Sequence, residues 1–266
     1  MRVLVAFAVV AALVGSAAAK VWPVPAMGDS TSGGPEIVFT FDDGPNPTLT
    51  PKVLDILKKH DVKAIFFLVG EMVDTKNKNV PKILRRMIAE GHVLANHTMT
   101  HKDLCRVAEE KGASEIDLGR EAIVKITGVH PLWFRAPFGV RCERIEGLLD
   151  ARGIQHMHWD LDPQEWKHGD KAKVVDYVTG QLARAKGRNV LLLHDIHAVT
   201  VQALPEILAW ISAENERRKK TDKKPIRIVQ APTLARETFS PGLEAWARET
   251  LGKVGDVRKD LARVLP

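Results

Sequence analysis

Short apolar runs alternate with stretches of helical period through the middle of the chain, which is the grammar of an α/β fold. The runs Ile37–Phe41, Ala64–Val69, Val93–Ala95, Leu132–Phe134, His156–Trp159, Val190–Leu193 and Ile226–Val229 predict seven strands. Between the first two, Thr50-Pro51 reads as the cap and first-turn proline of a helix carrying Val53, Leu54 and Leu57. Val80, Ile83, Leu84, Met87 and Ile88 recur at helical spacing up to Gly91, and similar stripes occupy Ser114–Thr127, Glu143–Arg152, Lys171–Ala185 and Val201–Ile211. No repeat, low-complexity segment or linker divides the chain. Residues 36–235 are therefore expected to form one domain after a lead at 20–35, with a helical extension over 236–266 that packs through Leu243, Trp246 and Leu251.

The first residues have the pattern of a signal peptide spanning 1–19: Arg2, an apolar run from Val3 to Val14, then small residues ending in Ala17-Ala18-Ala19. The run falls short of the roughly 20 residues of a membrane span, so no stable membrane anchor is expected; an uncleaved anchor is the alternative. Removal of this segment takes only Arg2 from the 39 basic side chains and leaves 38 against 33 acidic ones, a net charge of +5. That excess suits an anionic envelope or acidic polymer, and nothing in it asks for nucleic acid. The densest basic run, Arg217 to Lys224, contains Asp222 and no aromatic residue, and reads as a solvated helix end or a contact with an anionic polymer. The expected location is exported, periplasmic or extracellular. There Cys105 and Cys142 form either one disulfide or two buried thiols.

Five polar clusters follow strands directly, where parallel α/β folds bind ligands. In Thr40-Phe41-Asp42-Asp43-Gly44-Pro45-Asn46 two adjacent carboxylates end a strand, an arrangement that is costly unless a cation or a shared proton offsets it. In Asn96-His97-Thr98-Met99-Thr100-His101 two imidazoles stand four apart, a spacing that on a helical turn would bring both to one metal. Asp43 would complete a set of two histidines and one carboxylate with open positions. Phe134-Arg135-Ala136-Pro137-Phe138-Gly139 supplies a cation able to clamp a carboxylate. His158 to Trp166 gathers acids and indoles, and Leu191-Leu192-Leu193-His194-Asp195 ends an apolar strand on a histidine.

Taken singly, each cluster also has an ordinary explanation as a helix cap, a surface ion pair or a satisfied core histidine. Together, and in this order from about Ile37 to Val229, they resemble the five signature motifs of the polysaccharide deacetylases, carbohydrate esterase family 4 with its nodulation-type homology domain. The resemblance implies a distorted (β/α)7-type barrel with catalytic residues on loops at the C-terminal strand ends. It implies Asp42 as catalytic base, Asp43, His97 and His101 as metal ligands, and His194 as catalytic acid. Arg135 matches the arginine that holds the base. Phe138 matches the residue whose backbone N–H faces the oxyanion, and Leu192 the one that lines the pocket for the acetyl methyl. Three departures stand out: Ala136 replaces a usual proline, Phe138 a usual tyrosine, and Glu165 an aspartate that tunes the catalytic histidine, with Trp166 following as expected. The longer Glu165 is expected to affect the placing of His194.

The chemistry so implied is hydrolysis of N-acetyl groups, or O-acetyl groups, on an acetylated polysaccharide. The cofactor is a divalent metal, Zn²⁺ before Co²⁺ or another ion. One carboxylate and two neutral imidazoles would leave such an ion a net positive charge, able to lower the pKa of bound water toward about 7 and to polarise the carbonyl. Trp159 and Trp166 would shield His194, stack on a sugar ring or simply pack. The competing readings are a non-catalytic carbohydrate-binding protein on the same barrel, and a hydrolase of small non-sugar amides.

Overall fold

A computed structural model describes residues 33–239. The signal segment, most of the lead and nearly all of the C-terminal extension expected from the sequence lie outside the described residues. Seven parallel strands appear: β1 (Glu36–Asp42), β2 (Ile65–Leu68), β3 (Val93–Asn96), β4 (Trp133–Phe134), β5 (Gln155–His156), β6 (Arg188–His194) and β7 (Arg227–Ile228). Their order is β5-β4-β3-β2-β1-β6, with β7 joining β1 beside Glu36 and Ile37. The sheet curls until the segment leaving β5 meets β6 through a single parallel bridge, Leu161 to Leu191. Asp160 and Leu161 donate to the Val190 carbonyl, and Leu192 donates to that of Leu161. This is the expected α/β barrel in distorted form, since one bridge does the work of a full ladder. The expected fifth strand, His156–Trp159, is shifted to Gln155–His156 because the chain must leave β5 to reach β6.

The helices are α1 (Thr50–Lys59), α2 (Gly70–Val73), α3 (Val80–Ala89), α4 (Glu109–Thr127), α5 (Glu143–Asp150), α6 (Glu165–His168), α7 (Lys171–Arg184) and α8 (Ala198–Lys220). The period of two in β1 assigns its two faces. Ile37, Phe39 and Phe41 meet the helices, while Val38 faces inward with Ile65, Phe67, Ala95, Trp133 and Val190. Thr50 does not cap α1 as the sequence suggests. Leu49 holds the cap position, Asn46 Oδ1 accepts from the N–H groups of Thr48 and Leu49 at 2.9 Å each, and the Thr50 hydroxyl is turned to Asp195. The boundary expected at 235/236 falls inside a helix over 231–239, whose Phe239 packs on Trp133 and whose Glu237 accepts from Arg188. No described helix is long and apolar enough to cross a membrane.

Candidate active site

The inward-facing positions of the strands carry the site, because each functional side chain is the next inward residue beyond those that fill the barrel. Val38 and Thr40 lead to Asp42, Val93 and Ala95 to His97, Trp133 to Arg135, and Val190 and Leu192 to His194. A period of two thus delivers four polar groups to one end of the barrel. Asp43 would point the other way in a regular strand, but its φ of 71° turns it back over the rim.

Asp43 Oδ1 lies 3.4 Å from His97 Nε2 and 3.2 Å from His101 Nε2. Asp43, His97 and His101 can each offer a ligand atom within 4.8 Å of the others, a group that could hold one metal ion. Asp43 Oδ1 is buried with no hydrogen-bond partner among the described residues, which is the mark of an atom waiting for a cation. Burial would raise the Asp43 pKa, but His101 and His97 together hold it well below the usual carboxylate range. His97 Nδ1 donates to the Arg135 carbonyl at 2.7 Å, so its Nε2 lone pair faces Asp43.

The two histidines do not share a helical turn, contrary to the spacing argument. They lie on an irregular loop in which Thr98 and His101 have φ of 70° and 54°. Local acceptors hold that shape: Asn96 Oδ1 takes the Thr98 N–H, and Thr98 Oγ1 takes the His101 N–H. From α4 the buried Glu115 receives both the N–H and the hydroxyl of Thr100 at 2.7 Å.

Arg135 is fully buried beneath this group. Its Nη1 donates to Asp42 Oδ1 at 2.7 Å and to Thr40 Oγ1 at 2.9 Å, and its remaining nitrogens reach the carbonyls of Met157 and His158. Its guanidinium also lies 4.0 Å over the Phe67 ring. Burial lowers the Arg135 pKa, and Asp42 opposes that. Asp42 Oδ2 is left facing His97 Nε2 at 3.7 Å.

On the opposite side, His194 Nδ1 pairs with Glu165 Oε1 at 3.0 Å, and the same oxygen accepts the His194 N–H at 2.7 Å. Burial would lower the His194 pKa, but Glu165, then Asp42 and Asp43, raise it to about 9. The longer acid at 165 has not turned the ring away, for His194 Nε2 sits 4.0 Å from Asp43 Oδ2. Leu192 lies inside the barrel one inward step below His194. Phe138 is 68% exposed, has φ 60° and rides on the His101 ring at 4.7 Å; no described residue accepts from its backbone N–H. Trp166 is also exposed, and Trp159 is half-buried against Gly139 and Arg135.

The structure therefore brings Asp42, Asp43, His97, His101, Arg135, Glu165 and His194 around one centre, with Phe138, Leu192 and Trp166 about it. It adds residues that the sequence reading passed over. Thr40 could have been found two positions before Asp42 on the same strand face. Glu115, and Thr200, whose hydroxyl reaches Glu165 at 3.3 Å, carry no local signal because their partners are distant in sequence. Asp195 is fully buried, bonded to Thr50, and pushed up to about 7 by that burial.

The family model described as polysaccharide deacetylase matches residues 29–156. A chitooligosaccharide deacetylase of Sinorhizobium fredii (strain NBRC 101917 / NGR234) is 36% identical over 167 residues, 62% of this chain and 74% of the relative. The peptidoglycan-N-acetylmuramic acid deacetylase PdaC of Bacillus subtilis (strain 168) is 35% identical over 172 residues, 65% of this chain but 35% of that longer protein. Among solved structures, a T48 deacetylase with substrate superposes with a TM-score of 0.65 at 31% identity, covering 77% of this chain and 92% of that one.

Proposed function

The chain belongs to the polysaccharide deacetylase family, and from that membership we propose that it removes acetyl groups from N-acetylated sugars of a glycan, with Asp42 as base and His194 as acid. It is a carbohydrate deacetylase, a hydrolase of the amide bond, and it depends on a divalent metal. The family match ends at residue 156, so the assignment of Glu165 and His194 is supported by their geometry. Asp43, His97 and His101 would hold the ion, with Zn²⁺ the expected one. When bound, the ion supplies Lewis acidity, lowering the pKa of a coordinated water and polarising the acetyl carbonyl.

This chain's residues divide the remaining work. Arg135 occupies Asp42 Oδ1, which leaves Oδ2 directed at the centre to take the proton of the attacking water. The Phe138 N–H, unpaired within the described residues, is free to donate to the developing oxyanion. The acetyl methyl would rest on Leu192. Glu165 keeps His194 protonated at neutral pH, and with Nδ1 so engaged the ring presents Nε2–H to the leaving amine. Phe138, whose exposed ring lies against His101, and the exposed Trp166, next in sequence to Glu165, offer rings on which sugar rings would stack. The signal-like segment at 1–19 supports an exported protein acting on an envelope or extracellular glycan.

One observation carries this reading: two proton carriers, Asp42 held by Arg135 and His194 held by Glu165, face each other across the orphaned Asp43 oxygen. Its test is acetate release from chitin oligomers, peptidoglycan, an acetylated exopolysaccharide and acetylated xylan, before and after chelation and with metal added back. Acetate from an N-acetylated glycan that stops with chelator and returns with metal is the expected result. Metal-loaded protein that binds a glycan yet frees no acetate from any would establish the binding-module reading instead.

A further inference from the structure

The three candidate ligands are not held alike. His97 is 3% exposed and its second nitrogen is tied to the Arg135 carbonyl. Asp43 sits at the end of β1. The His101 side chain is 31% exposed, and its Nδ1 has no hydrogen-bond partner among the described residues. Histidine ligands ordinarily have that nitrogen fixed by a further group, which sets the direction of the other. His101 has instead the edge of the Phe138 ring, and Phe138 is the most exposed large apolar residue described. Each of this pair leans on the other, and neither side chain is clamped by the barrel.

Four positions after His101 stands Cys105, and four positions after Phe138 stands Cys142. The two form a disulfide with their Cα atoms 6.2 Å apart. It closes a small circuit: His101, the loop to Cys105, the bridge, the chain back from Cys142 to Phe138, and the ring contact to His101. One side of the circuit is already fastened to the fold. Leu104 is buried with Ile145 and Leu149, and Arg144 Nη2 donates to the carbonyls of Leu104 and Cys105 at 3.0 and 2.8 Å. The other side is held at its Cys142 end, where Val140 and Cys142 pack partly buried on the same cluster and the Cys142 carbonyl accepts from Ile145 and Glu146, but less so toward Phe138. Between Phe138 and Cys142 the backbone donates only local turn bonds, Gly139 to Ala136 and Val140 to Pro137, and Arg141 reaches only Glu146. The bridge thus ties the end of the lightly held turn that carries the Phe138 N–H, and the ring against His101, directly to the 101–105 loop.

We propose that the Cys105–Cys142 disulfide is a positioning element of the active site, fastening the 138–142 segment to the anchored 101–105 loop so that His101 and the Phe138 N–H keep their places. The proposal rests on the deacetylase reading for the meaning of the Phe138 N–H, but not for that of His101, whose metal binding can be read by itself.

The test compares the wild type with the Cys105→Ser/Cys142→Ser double variant, and with wild type reduced in its folded state by a phosphine. Zn²⁺ affinity of the metal-free protein is measured by calorimetry, amide exchange is followed over 97–107 and 136–142, and kcat and KM are measured with the loaded enzyme. Loss of the bridge should weaken Zn²⁺ binding about tenfold and speed exchange in both segments. It should lower kcat about tenfold with KM little changed, because an oxyanion donor acts on the transition state. Unchanged Zn²⁺ affinity and exchange with only a lower unfolding temperature would overturn the proposal, as would global unfolding in both the variant and the reduced protein. A wild type that binds Zn²⁺ but frees no acetate would sink the deacetylase reading, while affinity and exchange still judge the bridge.

Discussion

Glu165 asks more of one carboxylate oxygen than most side chains do. Its Oε1 accepts from the backbone and the ring of His194 and from Thr200, so one atom fixes strand end, ring orientation and protonation together. In the metal-free chain the His194 pKa, raised to about 9, exceeds the roughly 6.5 of an unfolded histidine. The pair therefore stabilises the fold fully below about pH 6.5, and that contribution is lost as pH rises through about 9. Glu165→Gln should accordingly lower the thermal unfolding midpoint of metal-free protein far more at pH 6 than at pH 10. A gap of constant size across that range would show that the charge of Glu165 is not what matters. In the loaded enzyme the same change should move the alkaline limb of the kcat profile toward acid. His194→Ala should lower kcat by about 10²–10⁴, the usual worth of a positioned proton donor, with metal affinity retained. His97→Ala and His101→Ala should lose metal and activity together, which separates ligand from acid in one titration series.

At the level of elements, the metal loop depends on how closely α4 approaches it. A Cβ at Gly119 would stand 2.5 Å from Asn96 Oδ1 and 2.7 Å from the Thr98 carbonyl carbon and oxygen. Backbone cannot yield as a flexible side chain can, and Asn96 and Thr98 are the two residues whose side chains shape the His97–His101 turn. Gly119→Ala should therefore weaken metal binding tenfold or more while α4 itself, given the better helix former, stays intact; unchanged affinity in a folded variant would mean that the loop is not set by the helix. This contact also marks the limit of what the sequence discloses. The apolar runs and the inward period of β1, β3, β4 and β6 were legible, and with them the end of the barrel at which Asp42, His97, Arg135 and His194 meet. The turn joining His97 to His101 was not, because its positive φ values are maintained by Glu115 and Gly119 on another element. Thr50 looked like a cap because capping is the local role of threonine, and only the fold reveals Asp195 beside it. The helix stripe read at Val201–Ile211 extends over Ala198–Lys220 because the polar turns at its C-terminal end, which carry Glu214 and Arg218, pair with each other rather than show an apolar face.

The molecule as a whole separates its chemistry from part of its stability by placing them at opposite ends of β1. At the C-terminal end Asp42 and Asp43 serve the site; at the other, the fully buried Glu36 takes Arg188 from β6 at 2.8 Å and Arg227 from β7. Arg188 also reaches Glu237 at 2.9 Å, so the network ties β6 and β7, through Glu36 of β1, to the helix over 231–239 at the base of the barrel. Six residue steps of about 3.3 Å place Glu36 roughly 20 Å from Asp42, too far for a charge change at the base to act directly on the proton carriers. Conservation of strand register between the ends is then the remaining route of influence, and the ladder of β1 with β6, in register from Glu36 opposite Arg188 to Asp42 opposite His194, makes it a stiff one. Glu36→Ala leaves Arg188 buried without its β1 partner and should cost about 3–5 kcal/mol in denaturant unfolding, the usual loss when a buried pair is broken from one side. With the folded population held above nine-tenths, kcat and metal affinity should stay within about threefold of wild type. A tenfold fall in kcat without a matching loss of stability would mean that the base of the barrel controls the register of Asp42 against His194, and the division of labour between the two ends would have to be abandoned.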